Sequence, residues 1–176
     1  MEKHFELTEE FKVNAFGVKL FRIKATKDFK EIKKGDLGGF VEKLENVYGD
    51  AWVYGDAWVY GNARVYGDAS VYGDAEIYGD AEIYGNARVY GNASVYGNAR
   101  VYGDNDLFWI SKIGSVNRTT TFFKCKDGKV RVKCGCFYGD LLDFKLRVTK
   151  THSGTKFEKE YLTLIELAKI KFQINE

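Results

Sequence analysis

The stretch of this chain best equipped for chemistry is Gly114-Ser-Val-Asn-Arg118-Thr-Thr-Thr121, with Lys112, Lys124, Arg131 and Lys133 around it. A Gly-Ser turn offers backbone N–H groups, an arginine offers a planar fork of donors, and hydroxyls complete a cradle for phosphate or another anion. Strand alternation puts Arg118, Thr120 and Phe122 on one face. The expected anion-binding residues are therefore Lys112, Ser115, Asn117, Arg118, Thr120, Lys124, Arg131 and Lys133. Threonine-rich runs are also ordinary strand formers, so a purely structural reading stands beside this one.

A second constellation is Cys125, Cys134, Cys136 and His152. Four such groups could hold zinc as Cys3His, but C-x-C is a less typical ligand spacing than C-x2–4-C. Buried, unreactive cysteines are the expectation, with no metal and no cofactor. The segment KKGDLGGFVE lacks the G-x-x-x-x-G-K-[ST] spacing of a phosphate loop and reads as a cap.

These residues need elements to position them. LFWISKI (107–113), RTTTFFKC (118–125) and KVRVKC (129–134) read as three strands, with Asp127–Gly128 as the turn between the last two. Asp140 can N-cap a helix reaching Thr151, with Leu141, Phe144 and Val148 on one face. Gly154 ends it. A second helix runs from Thr155 to Phe172, its stripe being Phe157, Tyr161, Leu164, Ile165, Ala168 and Phe172. Residues 107–176 thus form a small β-β-β-α-α domain of the α+β class.

Upstream the chain is a tandem repeat. Ten units follow one another without insertion, from VYGDAW at Val47 to VYGDND at Val101. In each Ala-x-Val run the Ala and Val share one face, and Gly-Asp or Gly-Asn turns the chain. Three such units close an 18-residue triangular coil, giving about three coils at ~4.8 Å each. Positions eighteen apart become vertical neighbours. The outward ladders are then Trp52, Ser70, Arg88; Trp58, Glu76, Ser94; and Arg64, Glu82, Arg100. Stacked tyrosines form large aromatic strips. Tyr54, Tyr60, Tyr72, Tyr78, Tyr90 and Tyr96 are expected either to stack coil on coil or to bury a subunit interface, while Trp52 and Trp58 lie beneath the N-terminal segment. Residues 11–26 read as a β-hairpin with its turn near Asn14–Gly17, and Gly35, Gly38 and Gly39 mark further turns. The domains expected are a 1–46 cap, the 47–106 solenoid and the 107–176 domain.

This pattern resembles the left-handed parallel β-helix hexapeptide repeat, [LIV]-[GAED]-x-x-[STAV]-x. Val47, Val53 and Val59 fall on its aliphatic position and Ala51, Ala57 and Ala63 on its small one, but Tyr replaces the small or acidic second residue. The resemblance implies a mainly β fold: a short left-handed β-helix with an N-terminal β cap and a C-terminal α+β domain. Acyltransferases of that superfamily rely on a histidine in the solenoid and a projecting loop, and its zinc enzymes need three histidines. Here His4 and His152 both lie outside an uninterrupted repeat, which disfavours both activities. KxGDLGGFVE followed by VYG hexads also resembles hexapeptide-repeat proteins of bacteria and prophages, implying a mobile-element context.

Charge adds a polarity. The net is +1 over residues 1–46, −6 over 47–106 and +7 over 107–176. A basic C-terminal third either attracts an anionic partner or complements the acidic solenoid. No run approaches the ~18 apolar residues of a membrane span. The N-terminus lacks the apolar core of a secretory signal, and three unpaired cysteines point to a reducing cytoplasm. The function expected is non-enzymatic. An oligomeric β-helix, with a trimer favoured, presents a basic domain that binds a nucleotide or phosphorylated metabolite. A phage counter-defence role, sequestering a signalling nucleotide or blocking a host protein, is one form of it. A structural assembly protein and a degenerate acyltransferase are the alternatives.

Overall fold

In the computed structural model residues 3–174 are described, and the chain divides into two compact units, the first ending at Asp104 and the second beginning at Asn105. The first unit opens with strands β1 (Phe5–Val13) and β2 (Lys19–Ala25), an antiparallel hairpin. Its turn is set by Asn14, whose Oδ1 accepts the N–H groups of Phe16 and Val18, both at 2.9 Å. The hairpin starts six residues earlier than the alternation from Phe11 suggested. Strand β3 (Leu37–Val41) pairs antiparallel with β2. Gly38 and Gly39, expected to mark turns, lie inside this strand. They are glycines for want of space: a Cβ on Gly38 would lie 2.5 Å from the Val53 carbonyl oxygen, and one on Gly39 2.6 Å from that of Ala57.

The repeat then lays down nine two-residue strands: β4 (Trp52–Val53), β5 (Trp58–Val59), β6 (Arg64–Val65), β7 (Ser70–Val71), β8 (Glu76–Ile77), β9 (Glu82–Ile83), β10 (Arg88–Val89), β11 (Ser94–Val95) and β12 (Arg100–Val101). They stack in parallel as β4-β7-β10, β5-β8-β11 and β6-β9-β12. The chain is thus a β-solenoid of about three turns. Register is that of an 18-residue coil: Arg64 lies opposite Glu82 and Glu82 opposite Arg100. The Ala of the first nine hexads and the Val or Ile of all ten point inward and are buried. Coils are tied by ladder bonds such as Arg64 N–H to the Ala81 carbonyl at 2.9 Å.

The solenoid begins before the first VYG unit. Phe40 pairs with Trp58 and Val41 with Val59, again eighteen residues apart, so β3 is the first rung and joins the hairpin to the β5-β8-β11 stack. Beside it, Glu42 accepts the Gly61 N–H at 2.6 Å. Asn46, fully buried, donates to the carbonyls of Gly61 (3.2 Å) and Ala63 (2.8 Å) and accepts from the Lys43 N–H (3.0 Å). Those bonds close backbone groups that a preceding coil would otherwise satisfy. Trp52 is buried edge-on against Phe5 and Phe29.

The second unit is an antiparallel sheet in the order β13 (Leu107–Ile113), β14 (Arg118–Lys124), β15 (Val130–Cys134), β16 (Phe137–Asp140), followed by α1 (Leu141–His152) and α2 (Lys156–Phe172). The fourth strand corrects the expected three. Cys134 pairs with Phe137 across a tight turn in which Gly135 takes φ 57. Asp140 caps α1 by accepting the Asp143 N–H, and Thr155 caps α2 through Glu158. The helices cover one sheet face with Phe122, Val132, Phe144, Val148, Tyr161, Leu164, Ile165 and Ala168 between them. Among the described residues, no helix is long and apolar enough to cross a membrane.

Candidate functional site

A cavity of about 280 Å³ opens in the second unit. Its walls come from the turn before β14 (Ser115, Val116), the start of β14 (Arg118), the β15–β16 turn (Cys134, Cys136, Phe137), one face of α1 (Phe144, Arg147, Val148, Thr151, His152) and Tyr161 of α2. A second cavity of about 480 Å³ shares Cys136, Phe137 and Arg147 and adds Tyr138, Asp143, Leu146 and Lys150. The lining is mostly apolar and aromatic, with two guanidinium groups among it.

Local sequence explains the arrangement. Phe144, Arg147, Val148, Thr151 and His152 follow at i, i+3, i+4, i+7 and i+8, which is one helix face. Arg118 lies over the β15–β16 turn, where a Cβ on Gly135 would fall 2.1 Å from its Nη1. Neither Arg118 nor Arg147 makes a hydrogen bond or ion pair among the described residues. Deeper in, the Thr120 hydroxyl donates to Cys134 Sγ at 3.2 Å, and that thiol faces the Tyr161 hydroxyl at 3.8 Å. Burial, with Cys134 second, holds the Tyr161 hydroxyl above its ordinary value, and Arg118 opposes the shift. His152 packs on Tyr161 at 5.6 Å between ring centroids. Gly114 is required beside them, since a Cβ there would overlap the Tyr161 hydroxyl.

The eight residues expected to bind an anion do not form one site. Ser115 and Arg118 line the cavity. Lys112 (φ 61), near the end of β13, and Asn117 (φ 50), in the β13–β14 connection, are exposed outside its walls. Thr120 is buried with its hydroxyl committed to Cys134. Arg131 and Lys133 sit opposite Phe123 and Thr121, so the pleat aims them to the face away from Arg118 and Thr120. Three of the outlying cations also have local partners. Lys124 pairs with Asp106 at 2.8 Å, Arg131 pairs with Asp127 at 2.7 Å, and Lys133 donates to the Gly135 carbonyl. The Gly114 N–H, expected to face an anion, donates instead to Glu160 at 3.0 Å. Arg147, Phe137, Thr151 and Tyr161 also line the cavity, although their sequence positions suggested no ligand role.

The cysteines divide likewise. Cys125 is buried, and burial pushes its thiol up to about 11. Cys134 is half-buried and Cys136 exposed, so the expectation of buried thiols holds for Cys125 alone. Among the described residues, no group of three or more Cys, His, Asp or Glu is placed to hold a metal ion.

The tyrosine strips stack within the chain. Ring centroids are 5.0 Å apart for Tyr60–Tyr78 and Tyr72–Tyr90 and 4.7 Å for Tyr78–Tyr96, with Tyr54 edge-on to Tyr72 at 6.3 Å. Tyr60 is buried beneath Leu20 and Phe40, which removes it from any surface between subunits. Tyr54 and Tyr90 remain exposed.

Against known protein families, residues 57–73 and 81–97 match the YdcK beta-solenoid repeat. Both segments lie inside the tandem repeat, so the similarity concerns the solenoid and not the C-terminal unit. A search of curated proteins returns no match.

Proposed function

We propose that the chain is a non-enzymatic binding protein whose C-terminal unit takes a small anionic ligand with a planar apolar part, such as a nucleotide or phosphorylated metabolite. The observation that carries this reading is the pair of guanidiniums on an aromatic cavity, Arg118 and Arg147, for which no hydrogen bond or ion pair is found among the described residues. Guanidinium forks suit phosphate and carboxylate oxygens, and Phe137 and Phe144 offer apolar surface to a ring. The +7 charge of residues 107–176 draws such a ligand in. The reading differs from the sequence expectation in its residues: Arg147, Phe137, Phe144 and His152 replace Lys112, Lys124, Arg131 and Lys133. Sequestration of a signalling nucleotide by a phage-encoded protein is one role such a site would serve. Free thiols suit a reducing cytoplasm. The solenoid would be of the left-handed hexapeptide type, as its aliphatic and small positions suggest.

Thermal-shift screening under reducing conditions, against nucleoside phosphates, sugar phosphates and dicarboxylates, tests the proposal. A true ligand at one hundred times its Kd stabilises by about 2.7 kcal/mol, and R118A/R147A removes that gain. No stabilisation by any anion in the panel rejects it.

Exposure of Tyr54 and Tyr90 on one aromatic strip favours a second reading, in which the solenoid assembles the chain into a homotrimer. Sedimentation of the full chain as a monomer at micromolar concentration would dismiss this one.

A further inference from the structure

The two cavities of the second unit differ in the charges on their walls. Among the described residues the first has Arg118, Arg147 and His152 and no carboxylate. The second has Arg147 and Lys150 together with the carboxylate of Asp143. Arg147 and Phe137 belong to both. Asp143, Arg147 and Lys150 follow at i, i+4 and i+7, which brings them to one face of α1. That spacing suits an Asp143–Arg147 ion pair, yet neither side chain makes an ion pair or hydrogen bond among the described residues. Aromatic surface is present on both sides. Phe144 lies 5.1 Å from Phe137 between ring centroids in the first cavity, and Tyr138 borders the second. At about 280 Å³ the first cavity falls just under the ~300–1,000 Å³ of most small-molecule sites, and the second, at about 480 Å³, is the roomier.

We propose that the ligand is a free dinucleotide, two nucleosides joined through phosphate, with one nucleoside in each cavity and the linking phosphate at Arg147. The inference rests on the reading that this site takes an anion. Among the described residues Arg147 is the cation common to both cavities, so a molecule that enters both carries its link past this guanidinium. A guanidinium fork holds a phosphate through two parallel bonds, and Arg118 adds a second fork from the first cavity. Asp143 decides what enters the second. An ionised carboxylate only accepts hydrogen bonds, so it repels a further free phosphate and receives the hydroxyls of a ribose or the amino group of a base. A nucleoside therefore suits the second cavity better than another anionic group. Phe137, on the walls of both cavities, offers apolar surface to either base.

Isothermal titration calorimetry on the full chain compares the common 5′-mononucleotides with dinucleotides of the same base, joined 3′–5′ or through a 5′–5′ diphosphate. The inference expects a dinucleotide to bind about a hundredfold more tightly than its mononucleotide, the lower end of what joining two binding halves delivers. D143N/K150A, shown folded by circular dichroism, should bring that ratio close to one. A gain below about tenfold for every dinucleotide overturns the inference and leaves the anion-binding reading in place. A ratio that survives D143N/K150A overturns it as well, since the second nucleoside then lies elsewhere. Tighter binding of a hexanucleotide than of any dinucleotide would point to a nucleic-acid strand and would also overturn it. If sugar phosphates or dicarboxylates bind and no nucleotide does, this inference alone is lost. If the whole anion panel fails to bind, the reading beneath it is lost too.

Discussion

Single side chains decide how the repeat begins and where the cavity lies. Asn46 occupies the outward x position of its hexad, yet it is fully buried because its amide bonds two carbonyls and one N–H at the first coil. Asn46→Ala leaves those three groups without partners, and stability should fall by about 3 kcal/mol in urea unfolding; a loss under about 1 kcal/mol would contradict the role assigned to it. Nothing in the hexad pattern singles out this residue, since its importance depends on Gly61 and Ala63 of the next coil. The cations of the second unit show the same limit. Arg118, which follows a Gly-Ser turn and shares a face with Thr120, was singled out in sequence and does line the cavity. Lys124, Arg131 and Lys133 seemed equivalent to it in sequence. Asp106, Asp127 and the pleat of the sheet give them other places, which only the strand register reveals.

At the scale of elements the tyrosine strips set a pH limit. Tyr54, Tyr60, Tyr66, Tyr72 and Tyr78 all have hydroxyls raised above the ordinary 10.0, chiefly by burial. A raised value means that the folded chain keeps protons the unfolded chain would release. Their contribution is therefore complete below about pH 10 and declines as pH rises further. Urea midpoints followed by circular dichroism should hold level to about pH 10 and drop between about pH 10 and pH 12; a flat profile would mean the rings are not packed as described. These strips were readable in advance because eighteen-residue spacing is strict, and Arg64, Glu82 and Arg100 align for the same reason. Two strands were not readable. β3 is hidden by Gly38-Gly39, whose usual meaning is a turn but which here admit the Val53 and Ala57 carbonyls. β16 is hidden behind Cys134-Gly-Cys136, where a two-residue turn leaves little alternation to see.

Across the whole molecule, an acidic solenoid of −6 and a basic C-terminal third of +7 share one chain, and each unit has apolar clusters of its own. The solenoid accounts for the spacing of the repeat, while the residues of the proposed site sit in the C-terminal unit. Part of that division was visible in composition, since the repeat is acidic and the residues after it are basic. The cavity itself was not, because it joins residues from Ser115 to Tyr161 through two helices and three strands. The proposed capture of an anion by Arg118 and Arg147 predicts an affinity that falls as salt is raised from low to physiological strength, and a salt-independent affinity would speak against the pair. The most direct measurement is a nuclear magnetic resonance titration of the full chain with the strongest anion from the thermal screen, read at each backbone amide. Shifts should gather at residues 115–118, 134–137, 147–152 and 161 and vanish in R118A/R147A. Shifts confined to the solenoid, or unchanged by that double substitution, would contradict the account.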